Sequence, residues 1–259
     1  MKPLADLPAG KISSVLFDID DTLTTHGQLT AGAYAALERL RRAGKRVVCV
    51  TGRPAGWCDH IGRMWPVDAV VGENGAFYFY FAAGKLNKRF HDDDQTRARK
   101  RAKLEAIARR VLGEVPGCAV AADQPYRETD LAIDYCEDVA PLPLQAAERI
   151  AAVMREEGLT ARVSSIHVNG WFGDYDKLAM TRALFAERFG EEIGRINPSV
   201  VFVGDSPNDA PMFGFFDRSV GVANVRRYAD ILAASPKYVT PSESGAGFAE
   251  LADHLLGGG

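Results

Sequence analysis

The chain reads as a doubly wound α/β protein, and three observations predict that class. Three short β-rich runs, Val15 to Phe17, Val47 to Val50 and Val200 to Val203, are apolar throughout and break into polar or glycine residues at their C-terminal ends, as strands of a buried parallel sheet do. Segments of helical period separate them, which is the alternation of a Rossmann-like layer. Midway along the chain the texture changes to an order of its own, β-α-β-β-α-β, which predicts an inserted α+β unit with its own small sheet.

Taken in order, the first run is followed by Thr30 to Gly44, where Tyr34, Leu37 and Leu40 recur at helical spacing, Arg and Lys crowd the end and Gly44 offers a C-cap. The Val47 run then closes a β-α-β unit. A helix from Pro54 to Trp65, a strand from Asp68 to Val71 and a hairpin-like aromatic stretch ending near Phe81 follow. The insert is expected over residues 83–171, with a strand near Arg89, a basic helix from Gln95 to Leu112, and strands at Cys118 to Ala122 and Leu131 to Cys136. A helix from Leu144 to Glu157 and a strand from Ala161 to Val168 complete it. A helix from Lys177 to Phe189 and strands at Val200, Ser219 and Tyr238 return to the first sheet, so residues 1–82 and 172–259 form the core. The terminal Gly257 to Gly259 is expected to fray.

With 259 residues, 47% of them hydrophobic, the chain is long enough for a substantial core and too apolar to be disordered. A formal charge of −3 gives no electrostatic ground for a nucleic-acid partner. The longest strongly apolar run, Ala76 to Ala83, is far shorter than a membrane span, and no secretory signal opens the chain, so a cytoplasmic address is expected. Cys49, Cys58, Cys118 and Cys136 form no C-x-x-C pair and read as reduced thiols. Oligomeric state stays open between monomer and homodimer.

In an open α/β sheet, ligands gather outside the carboxyl ends of the strands. Those ends read Asp18-Ile19-Asp20-Asp21-Thr22, Thr51-Gly52-Arg53 and Gly204-Asp205-Ser206-Pro207-Asn208-Asp209. Asp18, Asp20, Asp205 and Asp209 on one rim would repel one another unless a cation relieved them, and Mg2+, which takes few carboxylates and keeps positions for water and phosphate oxygens, is the natural relief. One aspartate can then attack phosphorus while its neighbour two residues on protonates the leaving oxygen. Lys177 falls at a helix start, where the macrodipole disfavours a cation, so an anion should face it. The hydroxyl and backbone amides around Thr51 and Gly52 would hold phosphoryl oxygens.

Four elements in order, VLFDIDDTL (Val15 to Leu23), VVCVTGRP (Val47 to Pro54), DYDK (Asp174 to Lys177) and VFVGDSPNDAPMF (Val201 to Phe213), resemble the haloacid dehalogenase superfamily of aspartate-nucleophile phosphotransferases. The insert after VGENGAF (Val71 to Phe77) looks like the large cap of the class IIB branch, which contains many sugar phosphatases. The resemblance implies Asp18 as nucleophile and Asp20 as general acid and base, with Thr51 and Lys177 on the phosphoryl group. It also implies magnesium on Asp18, the Asp20 carbonyl, Asp205 and Asp209, with Asn208 and Asn74 lining the substrate side. Asp21 departs from the glycine usual there. The implied activity is Mg-dependent hydrolysis of a small phosphomonoester, such as a sugar phosphate, through an aspartyl-phosphate; a phosphomutase, and more remotely a sugar-phosphate binder or phospho-signalling module, are the rivals.

Simpler roles compete. Asp209 could be the third residue of a capping box opened by Ser206, although Pro211 argues for a helix that begins later. Arg53 divides evenly between substrate site and salt bridge. His91 to Asp94 resembles a metal cluster but reads better as the N-terminal charge complement of the basic helix, whose stripe of Leu104, Ile107, Val111 and Leu112 leaves its Arg and Lys in solvent. His167, Asn169, Trp171 and Tyr175 lie where the insert returns to the core.

Overall fold

The computed structural model describes residues 1–8 and 10–257, so the fraying expected of Gly258 and Gly259 lies outside the described residues. In chain order the elements are β1 (Lys2–Pro3), β2 (Ser14–Phe17), α1 (Ala31–Arg42), β3 (Arg46–Val50), α2 (Ala55–Met64), β4 (Ala69–Gly72), β5 (Phe77–Ala82) and β6 (Lys85–Phe90). Then come α3 (Asp94–Glu114), β7 (Ala119–Val120), β8 (Asp130–Asp134), α4 (Leu144–Glu156), β9 (Thr160–Val163) and β10 (His167–Trp171). The chain ends with α5 (Lys177–Leu184), α6 (Ile193–Ile196), β11 (Val200–Gly204), α7 (Ala210–Phe215), β12 (Arg218–Gly221), β13 (Tyr238–Val239) and α8 (Ser244–Leu256).

The doubly wound α/β fold class expected from the sequence is the fold observed. A nine-stranded sheet runs β1-β13-β12-β11-β2-β3-β4-β5-β6, parallel from β1 to β4 and antiparallel across β4, β5 and β6. The chain leaves β2 in one direction toward β3 and β4 and returns on its other side with β11. That reversal makes the carboxyl end of β2 a switch point, where a crevice opens between diverging loops.

Alternation along the central strands feeds two cores. Val15, Phe17, Val47 and Cys49 face α1, α2 and α8, where Phe17 meets Phe248 with ring centroids 5.5 Å apart. Leu16, Val48, Val50 and Phe202 face α5 and α7. Truncating a fully buried ring such as Phe17 would cost about 3–5 kcal/mol. Helix α1 begins where the Thr30 side chain accepts from the Ala33 amide and ends on Arg39, Arg41 and Arg42, which complement its C-terminus.

A second sheet, ordered β7-β8-β10-β9 and antiparallel throughout, carries α3 and α4 on one face. Leu131, Ile133 and Val168 point to those helices; the intervening Asp130, Asp134, His167 and Asn169 are buried on the other face, over the switch point.

Several expectations need correction. The strand near Arg89 does not open the insert's sheet: as β6 it pairs antiparallel with β5 and extends the core, because the aromatic β5 needs a partner along its outer edge. The single strand expected from Ala161 to Val168 is two, β9 and β10, separated at Ser164 to Ile166, where the Ser164 hydroxyl accepts from the His167 amide. Leu112 is exposed, one position off the buried stripe of Leu104, Ile107, Ala108 and Val111. Asp93 caps α3 by accepting from the Thr96 amide at 2.7 Å, the structural role expected of the His91 to Asp94 run.

Candidate active site

Three strand ends converge. Asp18 follows β2 and donates its amide to the Val203 carbonyl of β11, fixing its backbone against the neighbouring strand. Thr51 follows β3; its hydroxyl is fully buried and accepts from the Arg53 amide at 3.1 Å. Asp205 follows β11. Gly204 before it has no room for a side chain, since a Cβ there would lie 2.3 Å from Asp209 Oδ2.

Lys177 enters this rim from the first position of α5. Its Nζ lies 2.9 Å from Asp18 Oδ1 and 2.7 Å from Asp209 Oδ1, with all three groups buried. Gly75 makes the approach of α5 possible: at φ 106° it lets the backbone pass where a Cβ would sit 2.0 Å from the Asp176 carbonyl. Asp176 caps the helix through the Ala179 amide. Burial alone would push the Lys177 ammonium down, but the charges of Asp18 and Asp209 outweigh it and hold the lysine protonated. Burial lifts Asp18 to about 8 against the pull of Lys177, with Asp209 and Asp20 adding to the rise. Burial, then Asp18 and Asp209, push Asp205 well above the usual carboxylate range.

One oxygen from each of Asp18, Asp205 and Asp209 lies within 4.8 Å of the others. An all-oxygen set that is crowded, buried and mutually repelling suits a hard divalent cation. Asp209 Oδ2 also accepts from the amides of Asp205 (3.0 Å) and Ser206 (3.3 Å), so its capping and its place in the cluster coexist on two oxygens. The α-helix starts only at Ala210, after a 3₁₀ turn, which leaves Pro211 in the first turn where no N–H is required.

Asp20 stands apart from the cluster. Both its oxygens accept from Arg53 Nε, at 2.9 and 3.0 Å, and Arg53 continues to Glu137 of the second sheet at 2.5 Å. Arg53 is thus a salt bridge and part of the site wall at once. Asn208 lines the cavity, and its amide donates to Asn74 Oδ1 at 3.2 Å. Asn74 itself sits behind Gly52, with φ 54°. Asp21 has φ 52°, a backbone position that glycine adopts freely and aspartate tolerates.

The second sheet roofs the site. Arg127 donates to the Gly52 carbonyl at 2.9 Å and pairs with Asp123 and Asp130; Asn169 donates to Asp130; His167 Nε2 lies 2.9 Å from Glu137. The space enclosed above Asp18 and Asp20 is only about 10 Å³. Glu73 ties roof to core by accepting from the Ala55, Glu128 and Thr129 amides and the Thr129 hydroxyl; burial raises its carboxyl to about 7.

Sequence reading missed Asn224, which donates to Asp205 Oδ2 at 3.2 Å and to the Asp21 carbonyl. It lies just past the end of β12, so the rule that pointed to the other strand ends applied to it as well. Thr22, which donates to Asp205 Oδ1 at 3.3 Å, lay inside the first motif. Trp171 and Tyr175 pack the return to the core, with Trp171 Nε1 donating to the Tyr175 carbonyl.

Residues 15–99 match the haloacid dehalogenase-like hydrolase family. The chain is 29% identical over 248 residues to a phosphoglycolate phosphatase of Pyrobaculum neutrophilum, covering 95% of this chain and 96% of that one. Its fold, insert included, is that of the Thermoplasma acidophilum protein 0175 (TM-score 0.70, 17% identity, 94% and 98% of the two chains). The subclass IIB sugar phosphatase BT4131 has it too (TM-score 0.59, 14% identity, 94% and 98%). Residues 15–99 thus resemble haloacid dehalogenase-like hydrolases, and over nearly its whole length the chain is similar to proteins named phosphoglycolate phosphatase.

Proposed function

We propose that this protein is a Mg2+-dependent phosphatase that hydrolyses a small phosphomonoester through an aspartyl-phosphate on Asp18. The observation that carries the reading is the buried convergence of Asp18, Asp205, Asp209 and Lys177 at the switch point of the sheet. Asp18, the Asp20 carbonyl, Asp205 and Asp209 would hold the magnesium, which when bound offsets their charge and that of the phosphoryl oxygens. Asp18 is the nucleophile: one of its oxygens forms the bond to phosphorus as the ester oxygen departs. Asp20, released from Arg53 toward the substrate, gives the departing oxygen its proton. It then takes a proton from the water that attacks phosphorus, freeing inorganic phosphate and restoring Asp18. Lys177, the Thr51 hydroxyl and the Gly52 backbone hold the phosphoryl group, with Asn208 beside it and Asn74 positioning Asn208.

Residues 83–171 act as the cap in this reading, with Lys85 to Phe90 remaining on the core sheet. The tight enclosure supports a small metabolite as substrate, reached when the cap lifts, in the cytoplasm. Several relatives aligning over more than nine-tenths of both chains are named phosphoglycolate phosphatases, which favours a short leaving group bearing a carboxylate over a sugar. The test is phosphate release from a panel containing 2-phosphoglycolate and hexose phosphates, with magnesium and with the Asp18→Asn protein as control. Metal-dependent release absent from the control is expected. Isomerised sugar phosphate without free phosphate would instead establish a mutase.

A further inference from the structure

Among the described residues, the basic side chains in and around the catalytic cavity already lie against carboxylates. Lys177 is held by Asp18 and Asp209, Arg53 by Asp20 and Glu137, Arg127 by Asp123 and Asp130, and His167 lies against Glu137. A leaving group that carries its own negative charge therefore finds no uncommitted partner inside. The cavity of about 10 Å³ also has no room for it.

Beside that cavity lies a cleft of about 550 Å³ between β9 and α4 of the cap and α7 of the core. The two spaces share a wall, because Val163 and Pro207 line the cleft while their chain neighbours Ser164 and Asn208 line the cavity. Arg162 stands in the cleft. It pairs in register with Asn169, which lines the cavity. Period two also turns Arg162 to the same face of the cap sheet, since Ala161 and Val163 are buried among the cap helices.

Two guanidinium groups meet at this point. Arg155 Nη2 donates to the Ala161 carbonyl at 3.3 Å and Arg162 Nη1 to the same oxygen at 3.4 Å. Among the described residues no carboxylate forms an ion pair with either; Glu148 lines the cleft but stays on its exposed rim. Two like charges gathered on one neutral oxygen, with most of their N–H donors free, are arranged to receive an anion, and the planar fork suits a carboxylate.

We propose that Arg162, assisted by Arg155, recognises the carboxylate of the substrate's leaving group and selects for phosphomonoesters that carry one. This rests on the phosphatase reading above and deepens it. The remaining wall of the cleft, Ala210, Pro211 and Ile231, is apolar, so the arginines supply its orienting charge.

The test compares 2-phosphoglycolate with a phosphomonoester whose leaving group is neutral, such as glycerol 3-phosphate, in the wild type and in Arg162→Met and Arg162→Lys. For Arg162→Met, kcat/KM on phosphoglycolate should fall roughly 10- to 100-fold, chiefly through KM, with the neutral substrate changed by less than about threefold. Arg162→Lys should recover part of the loss. Equal loss on both substrates, or loss on neither, overturns the assignment. Calorimetric binding of 2-phosphoglycolate to the magnesium-loaded Asp18→Asn protein reads the arginine without turnover. If binding weakens on adding Arg162→Met while the wild type releases no phosphate from any ester, the anion seat stands and the phosphatase mechanism falls. If phosphate is released and binding is indifferent to Arg162, the reverse holds.

Discussion

Lys177 Nζ lies 2.9 Å from Asp18 Oδ1, a contact that joins residues 159 positions apart and brings a buried ammonium to a rim of buried acids. Removing it as Lys177→Met would strip Asp18 and Asp209 of the ammonium that pairs with both. Breaking a buried pair from one side costs about 3–5 kcal/mol, and the metal-free variant should lose about that in urea denaturation at pH 8. Turnover should fall by roughly 10²–10³, since the phosphoryl oxygens lose a fixed positive partner. A variant of unchanged stability and rate would assign Lys177 to neither role.

Asp20 is held through both its oxygens by Arg53. Asp20→Asn keeps the shape but cannot exchange the proton, so kcat should drop roughly 10²–10⁴, about 3–5 kcal/mol at about 1.4 kcal/mol per decade. The loss should be smallest for esters of acidic alcohols such as p-nitrophenyl phosphate, which leave without a proton. A uniform loss across leaving groups would place the acid elsewhere.

Glu137, flanked within the cap by His167, joins cap to core through Arg53. Burial would raise its carboxyl, but His167 beside it and the hydrogen bonds and charge of Arg53 outweigh burial and hold it down to about 2, from an ordinary 4.5. A carboxylate depressed in the folded state contributes stability above its unfolded value and loses it as pH falls through the folded one. The contribution is therefore whole above about pH 5.5, about half gone by pH 3 and absent below 2. Its ceiling is about 3 kcal/mol, reduced by the water that reaches a side chain 27% exposed. Urea denaturation from pH 6 to pH 3.5 should show the gap between wild type and Glu137→Gln narrowing with acid; a constant gap would remove the pair from the pH response.

The core and its rim were legible because they follow local rules. Val15, Val47 and Val200 announce buried parallel strands by composition alone, and Asp18, Thr51 and Asp205 stand one residue beyond the ends of those strands. What was not legible depends on partners distant in sequence. Nothing in Lys85 to Phe90 says that β6 pairs with β5 rather than with the insert, since its alternation suits either edge. The roof residues Arg127 and Glu137 sit in no motif and flank the two ends of β8, and Asn169 takes its place from the register of β10 against β8. Arg53 could be read two ways because it serves both, binding Asp20 with one edge and the cap with the other.

Magnesium should reverse the order of stability of the wild type and Asp205→Asn. Without metal, Asp205 is a buried acid pushed up by desolvation and by Asp18 and Asp209, so replacing it with a neutral amide removes repulsion while Thr22 and Asn224 keep hydrogen-bonding partners at that position. The metal-free variant should therefore melt no lower than the wild type at pH 8. With the cation at about 100 times its Kd, the wild type gains about 2.7 kcal/mol, or about 5 °C or more for a chain of this size. Asp205→Asn lacks one of three clustered carboxylates and should gain little. EDTA should stop phosphate release by the wild type and magnesium restore it. If magnesium raises both melting temperatures equally, the cation binds away from Asp205, and the cluster at the end of β11 is not its seat.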